Sequence, residues 1–257
     1  MLILRESKVS YNCTKPAGWF WNVHKKINDS FLLILSLISF NISAQNITWQ
    51  NVNINVPFEN TDSVYNLIDG FYSNIQIPEG VRVSLWSIEY KGSSEKATHV
   101  LNLAGSKEAL AEFETRKLTP EWDAYVSKLN SLTSRDGFSV TAGTTLVRYN
   151  LDKWQQPIAQ SHQWKVKNPI KFLTAFANLM SVFNDDSGYV SIGQTTHGVE
   201  NGETHYIYVT YPDLIAALDF GNAQNKDQAD AINKWIEDTK DEEYTRSITR
   251  VMLQSWE

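Results

Sequence analysis

The residues of this 257-residue chain that could do chemistry are a histidine, several aromatic side chains, an amide and an arginine, set at alternate positions of strand-like runs. His197 shares period-two parity with Tyr206 and Tyr208 and would serve as a proton acceptor for a molecule held beside them. Trp86, Asn102, Trp164, Tyr206, Tyr208 and Arg250 supply flat apolar surface together with a few hydrogen-bonding tips. That combination suits a small aromatic or amphipathic ligand, because rings take up the apolar body while the polar groups fix its orientation. Other chemistries lack their parts. No HxH, HExxH or His/Asp/Glu set at ligand spacing occurs, so no metal is expected. The only thiol is Cys13, and there is neither a GxSxG elbow nor a glycine-rich phosphate loop. Asp185-Asp186 and Asp241-Glu242-Glu243 fall where helices should end and read as solvated charge.

The elements that must position these side chains form a unit written twice. Thr98-His99-Val100-Leu101-Asn102-Leu103 and Thr204-His205-Tyr206-Ile207-Tyr208-Val209 share one alternation at a spacing near 107 residues. A second strand-like run precedes each, over 81–88 and 189–196, and turn sequences join the pairs: Lys91-Gly92-Ser93-Ser94 in one, Glu200-Asn201-Gly202 in the other. Two hairpins are predicted. Ahead of them, helical spacing runs over 58–72 and 169–183, with Pro57 and Pro169 at positions a first helical turn tolerates. Short runs around Trp49 and Trp164 supply the first strands. Long helical regions follow the hairpins, over 106–132, broken at Thr119-Pro120-Glu121, and over 213–239. Last strands over 138–149 and 244–256 close the copies.

The order is βαββαβ in 46–149, a linker over 150–159, and βαββαβ again in 160–257. This is the split βαβ, ferredoxin-like unit of the α+β class. Such a four-stranded sheet carries both helices on one face, and two copies in one chain can bury their bare faces against each other. A monomer would therefore suffice. On element order and the Thr-His strand repeat, residues 46–257 resemble the dimeric α/β-barrel superfamily in a fused, two-repeat form. The resemblance implies an intramolecular α/β barrel with two sheets face to face, and fold alone carries no function. Haem enzymes of that superfamily hold iron through a helical histidine. Neither long helical region has one, so no haem and no other cofactor is expected.

Period-two alternation assigns faces. Val190, Ile192, Ile207, Val209, Val251 and Leu253 should lie under helices, as should Val83, Leu85, Leu101, Leu103 and Leu146. The other parity puts Tyr189, Ser191, Thr195, His197, Tyr206, Tyr208, Arg250, Met252 and Trp256 inside, with Arg82, Ser84, Trp86, Val100, Asn102, Val147 and Tyr149 from the first copy. Trp49, His162 and Trp164 are placed inside too. His99 and His205 point to the helix layer and read as structural. The interior is then either a ligand cavity or a core of rings bonded to one another.

Ahead of the repeat stands a secretory pattern: a basic patch at Lys25-Lys26, an apolar run over 31–40, and small residues ending Ile42-Ser43-Ala44-Gln45. The run is too short to span a bilayer, which takes about twenty residues. Residues 1–45 are therefore expected to be an extension and signal peptide cleaved after Ala44, leaving a periplasmic or secreted product with no membrane span. The net charge of −6 places −9 on the remainder, which argues against nucleic acid as a partner. Three functions stay open: binding of a small molecule, a cofactor-independent enzyme resembling the small monooxygenases, and a structural secreted domain. A solvent-connected cavity separates the first two from the third. A histidine or arginine beside a tyrosine within it favours the enzyme.

Overall fold

A computed structural model describes residues 47–183, 188–199 and 201–257. The 1–45 segment with its apolar run, Asp185-Asp186 and Glu200 lie outside the described residues. The first half comprises β1 (Thr48–Asn55), α1 (Thr61–Tyr72), β2 (Arg82–Tyr90), β3 (His99–Gly105), α2 (Lys107–Arg116), α3 (Pro120–Leu132) and β4 (Ser134–Tyr149). The second comprises β5 (Ile158–Lys165), α4 (Pro169–Phe183), β6 (Val190–His197), β7 (His205–Tyr211), α5 (Leu214–Leu218), α6 (Lys226–Thr239) and β8 (Glu243–Trp256). Local chemistry sets these bounds. The Thr119 hydroxyl accepts from Trp122 N–H and Pro120 occupies the first turn of α3, while Asn225 caps α6 through Gln228 N–H. The expected single helix over 213–239 is two helices, because the chain passes through Gly221 at φ +83° between them.

All eight strands are antiparallel and close into a barrel in the order β1-β3-β2-β8-β5-β7-β6-β4. Within each half the order is the one a ferredoxin-like sheet takes, and the seams between halves are β2–β8 and β4–β6. The sheets thus do more than face each other: their edges pair, and no open edge remains in the barrel. Two aliphatic cores lie outside the barrel wall. One packs Val83, Leu85, Leu101 and Leu103 against Ile68, Tyr72 and Phe113 of α1 and α2, and the other packs Val190, Ile192, Ile207 and Val209 against Phe172, Phe176 and Met180 of α4.

The Thr-His pairs tie corresponding corners in the same way. Thr98 N–H donates to Ile54 O, and the Thr98 hydroxyl accepts from Val56 N–H. Thr204 N–H donates to Trp164 O, and the Thr204 hydroxyl accepts from Val166 N–H. Nδ1 of His99 and of His205 each lies 2.9 Å from its threonine hydroxyl, and His205 packs edge-on against Phe172 of α4, in the helix layer.

Bulges overturn several expected faces, because one extra residue inverts the parity of everything beyond it. On β8 the register with β2 slips between Met252 and Gln254. Met252 stays inside, Leu253 is left exposed, and Trp256 turns out to pack on Tyr72 of α1. On β4 the slip falls at Leu146, between Thr145 and Val147. Leu146 is exposed, Val147 pairs with the outward-facing Ile192, and Tyr149 packs on Phe176. Arg148 takes the inward place instead.

Candidate functional site: the barrel interior

The barrel interior holds a partly open cavity of about 400 Å³. Its centre is built around Tyr206 on β7. Trp49 Nε1–H on β1 donates to the Tyr206 hydroxyl at 2.8 Å, and the Thr145 hydroxyl on β4 shares a hydrogen bond with it at 2.9 Å. The two rings meet edge to face at 5.2 Å. Burial pushes the Tyr206 phenol far above its ordinary range, which keeps it neutral. Tyr189, at the start of the β6 run, is pushed up to about 12 for the same reason.

Two strand glycines make room for this pair. A Cβ on Gly193 of β6 would stand 2.4 Å from both Thr144 O and the Tyr206 hydroxyl. One on Gly143 of β4 would stand 2.2 Å from Gln194 O and 2.4 Å from the Trp49 ring. Each ring therefore comes close against a neighbouring strand at a place where a side chain would collide with it, and glycine makes the room.

Beside them sits a cation between rings. The Arg250 guanidinium carbon lies 5.0 Å from the Trp86 ring centroid and 5.1 Å from that of Tyr208. Trp86 Nε1–H donates to Ser84 Oγ at 2.8 Å, and Asn102 Nδ2–H donates to Asn51 Oδ1 at 2.8 Å, so both wall residues are fixed. The Tyr208 hydroxyl has no hydrogen-bond partner among the described residues. Other arginines mark the two ends. Where β1, β2, β5 and β6 begin, Arg82 stacks 4.1 Å over Trp154 and pairs with Glu257 at 3.6 Å. Desolvation lowers the pKa of Arg82, partly offset by Glu257 and Tyr208. Toward the opposite end, Arg246 donates to Glu95 at 2.9 Å and to Gln163 at 3.0 Å and lies 3.6 Å from Glu203. Desolvation works to raise the pKa of Glu203, but hydrogen bonds from its own backbone and from Asn201, with the Arg246 charge, outweigh it and hold the carboxyl below the ordinary value.

Of the residues singled out in the sequence, Trp86, Asn102, Tyr206, Tyr208 and Arg250 line this cavity, and Trp164 and His197 do not. His197, expected as proton acceptor, is exposed at the end of β6 with Nδ1 on the Thr196 hydroxyl. Trp164 was matched by type to Trp49, yet the shared bond from Thr98 to Ile54 and from Thr204 to Trp164 gives it the place of Ile54. It packs outward on Phe172 and Trp235. Ser161 and Gln163 of β5 face inward instead. Gly143 and Gly193, inside strand patterns, carried a signal of close approach that period-two counting ignores. No metal-binding cluster occurs among the described residues, none of the described helices holds a histidine to ligate haem, and no described helix is long and apolar enough to cross a membrane.

His162 also faces outward, stacked at 4.7 Å on Phe220 with Nδ1 3.2 Å from the Tyr244 hydroxyl and Nε2 buried without a partner. Desolvation lowers its pKa to about 4. As pH falls from about 6.5 the unfolded chain takes the proton first, so this contribution is complete above pH 6.5 and is lost between there and pH 4. His99 and His205 are lowered by burial as well and act with the same sign. Urea melts at pH 7.5 and 4.5 should show His162→Phe losing about 1–2 kcal/mol less stability than the parent over that interval, after allowance for the ring's partial exposure. An unchanged loss would mean that the ring is protonated without being expelled.

No protein-family model and no curated protein sequence matches the chain. Solved structures do. A candidate monooxygenase from Lactobacillus acidophilus NCFM is similar at a TM-score of 0.56 and 12% identity, over 82% of this chain and 96% of that one. An anthrone oxidase-like protein gives 0.55 and 13% over 84% and 94%. A candidate monooxygenase from Fusobacterium nucleatum gives 0.57 and 12% over 83% and 95%. At this identity the likeness establishes the fold alone.

Proposed function

We propose that the barrel interior binds a small aromatic or amphipathic molecule, in an exported protein made of two copies of a ferredoxin-like unit. The observation that carries this reading is the interior itself. It is a cavity of about 400 Å³ walled by aromatic rings, with the Tyr208 hydroxyl unbonded and Arg250 beside it. Pockets for small ligands run from roughly 300 Å³ upward with few polar groups on apolar walls. A dry core of this kind would instead leave its hydroxyls bonded to one another. The duplication is supported by the Thr-His corner bonds and the repeated strand order, and export by the secretory pattern of residues 1–45.

Two tyrosines test the reading. Tyr208→Phe should leave stability within about 0.5 kcal/mol of the parent, since it removes a hydroxyl without a hydrogen-bond partner among the described residues, while weakening ligand binding several-fold. Tyr206→Phe strands the Trp49 N–H and the Thr145 hydroxyl and should cost about 1–3 kcal/mol. Denaturant melts and a thermal-shift screen of aromatic compounds on both variants measure this. A large loss at Tyr208→Phe with no compound shifting the parent would reject a binding cavity. Export is checked by intact-mass analysis of protein from its native host, where a chain starting near Gln45 is expected and one retaining residues 31–40 would reject cleavage.

A second reading, oxygenation of the bound aromatic without a cofactor, draws on the names of the structurally similar proteins. The cavity wall among the described residues holds a single carboxylate, Glu203, engaged by Arg246, and no histidine, so binding is the reading its side chains support better. Oxygen consumption with an electron-rich phenol separates the two.

A further inference from the structure

Deepening the binding reading on which it rests, we propose that the ligand is an aromatic acid, its carboxylate held by Arg250 and its ring by the aromatic walls of the barrel. Arg250 is 8% exposed and projects from β8 into the cavity, and its Nε is buried with no hydrogen-bond partner. It makes no ion pair or hydrogen bond among the described residues. It lies over the rings of Trp86 and Tyr208, whose π faces attract the cation but accept none of its in-plane N–H bonds in the way an oxygen does. The buried Nε–H has no acceptor in the surrounding wall, a costly state that an incoming carboxylate relieves with two parallel N–H···O bonds from the guanidinium edge.

The other charges of the wall point the same way. Four arginines, Arg82, Arg148, Arg246 and Arg250, line the cavity against one carboxylate, Glu203. Arg246 is already committed to Glu95 and Glu203, and Arg82 to Glu257. Arg250 therefore brings to the interior a positive charge that none of these carboxylates answers, and low-dielectric walls concentrate the field of such a charge on an anion. A neutral aromatic ligand would leave Arg250 as unpaired as before. A cationic one would meet repulsion.

The test uses 2-naphthoate and its neutral amide, 2-naphthamide, titrated calorimetrically into the whole protein and into Arg250→Met, Arg250→Lys and Arg82→Met. The parent should bind the acid at least about tenfold more tightly than the amide. Arg250→Met should abolish that preference with the amide affinity kept, Arg250→Lys should keep part of it, and Arg82→Met should keep it nearly whole. Equal binding of acid and amide by the parent overturns the assignment of an acid and leaves interior binding standing. This comparison needs no variant to fold. A preference that survives Arg250→Met but not Arg82→Met overturns the role given to Arg250. If neither compound binds and no neutral aromatic shifts the melting temperature, the underlying binding reading fails, and this inference with it.

Discussion

Gly193→Ala should lower the free energy of unfolding by about 3 kcal/mol, at the upper end of what overpacking a tight site costs. The new methyl has no way out. On one side is the Thr144 carbonyl, part of the β4–β6 seam, and on the other the Tyr206 hydroxyl with the ring carbon that bears it, all within 2.5 Å. Moving the strand breaks ladder bonds at a seam that closes the barrel, and moving the ring breaks the Trp49–Tyr206–Thr145 network. Either way the centre of the cavity is disturbed, so the substitution should abolish ligand binding even where the protein still folds. Guanidinium melts give the first effect, and tryptophan emission, through Trp49, reports the second. A variant as stable as its parent would mean that the rings are seated elsewhere.

Trp256→Ala should cost more, about 3–5 kcal/mol, as buried tryptophan truncations do. Trp256 is the last residue of β8 and lies in the core of the first half, on Tyr72 at 5.3 Å. Its Nε1–H donates to Asp69 Oδ1 at 3.1 Å and lies 3.2 Å from Ser73 Oγ. Removing it empties a site beneath α1 and slackens the β2–β8 seam at once. The loss should be measurable as a lowered midpoint in denaturant, with faster proteolysis of α1. Trp256→Phe, which keeps a ring but not the N–H, should recover more than half of the loss. If Trp256→Ala leaves the midpoint unmoved, β8 is held by its ladder alone.

How far the sequence reveals this molecule depends on which physical signal is asked. The Thr-His repeat is legible because threonine and histidine do the same work in each half, bonding a strand corner, and identical work leaves identical residues. The alternation of Val190, Ile192, Ile207 and Val209 is legible because one face of their strands is covered by helices. The barrel's closure follows from burying two bare faces, although the pairing of edges at β2–β8 and β4–β6 does not. Bulges at Leu146 and Leu253 are invisible to period-two counting. They inverted Val147, Tyr149 and Trp256, and hid Arg148. Trp164 misled because a tryptophan was aligned with a tryptophan, when hydrogen-bond register equates it with Ile54. Arg250 was legible as an inward residue, but its want of an acceptor depends on what stands opposite in three dimensions.

The seam between β2 and β8 has a consequence for the order in which the protein is made. Trp256 reaches Asp69 across 187 positions of chain, and the barrel cannot close until β8 has left the ribosome. Contacts so remote in sequence are slow to form, because a large loop entropy is surrendered before any of them is gained. Until then the first half waits with the outer edges of β2 and β4 open and a face of aromatic rings uncovered, the state most exposed to wrong association. Such a chain stays unfolded longest at its most vulnerable, and the pairing of β8 with β2 is the step that commits it to the native state.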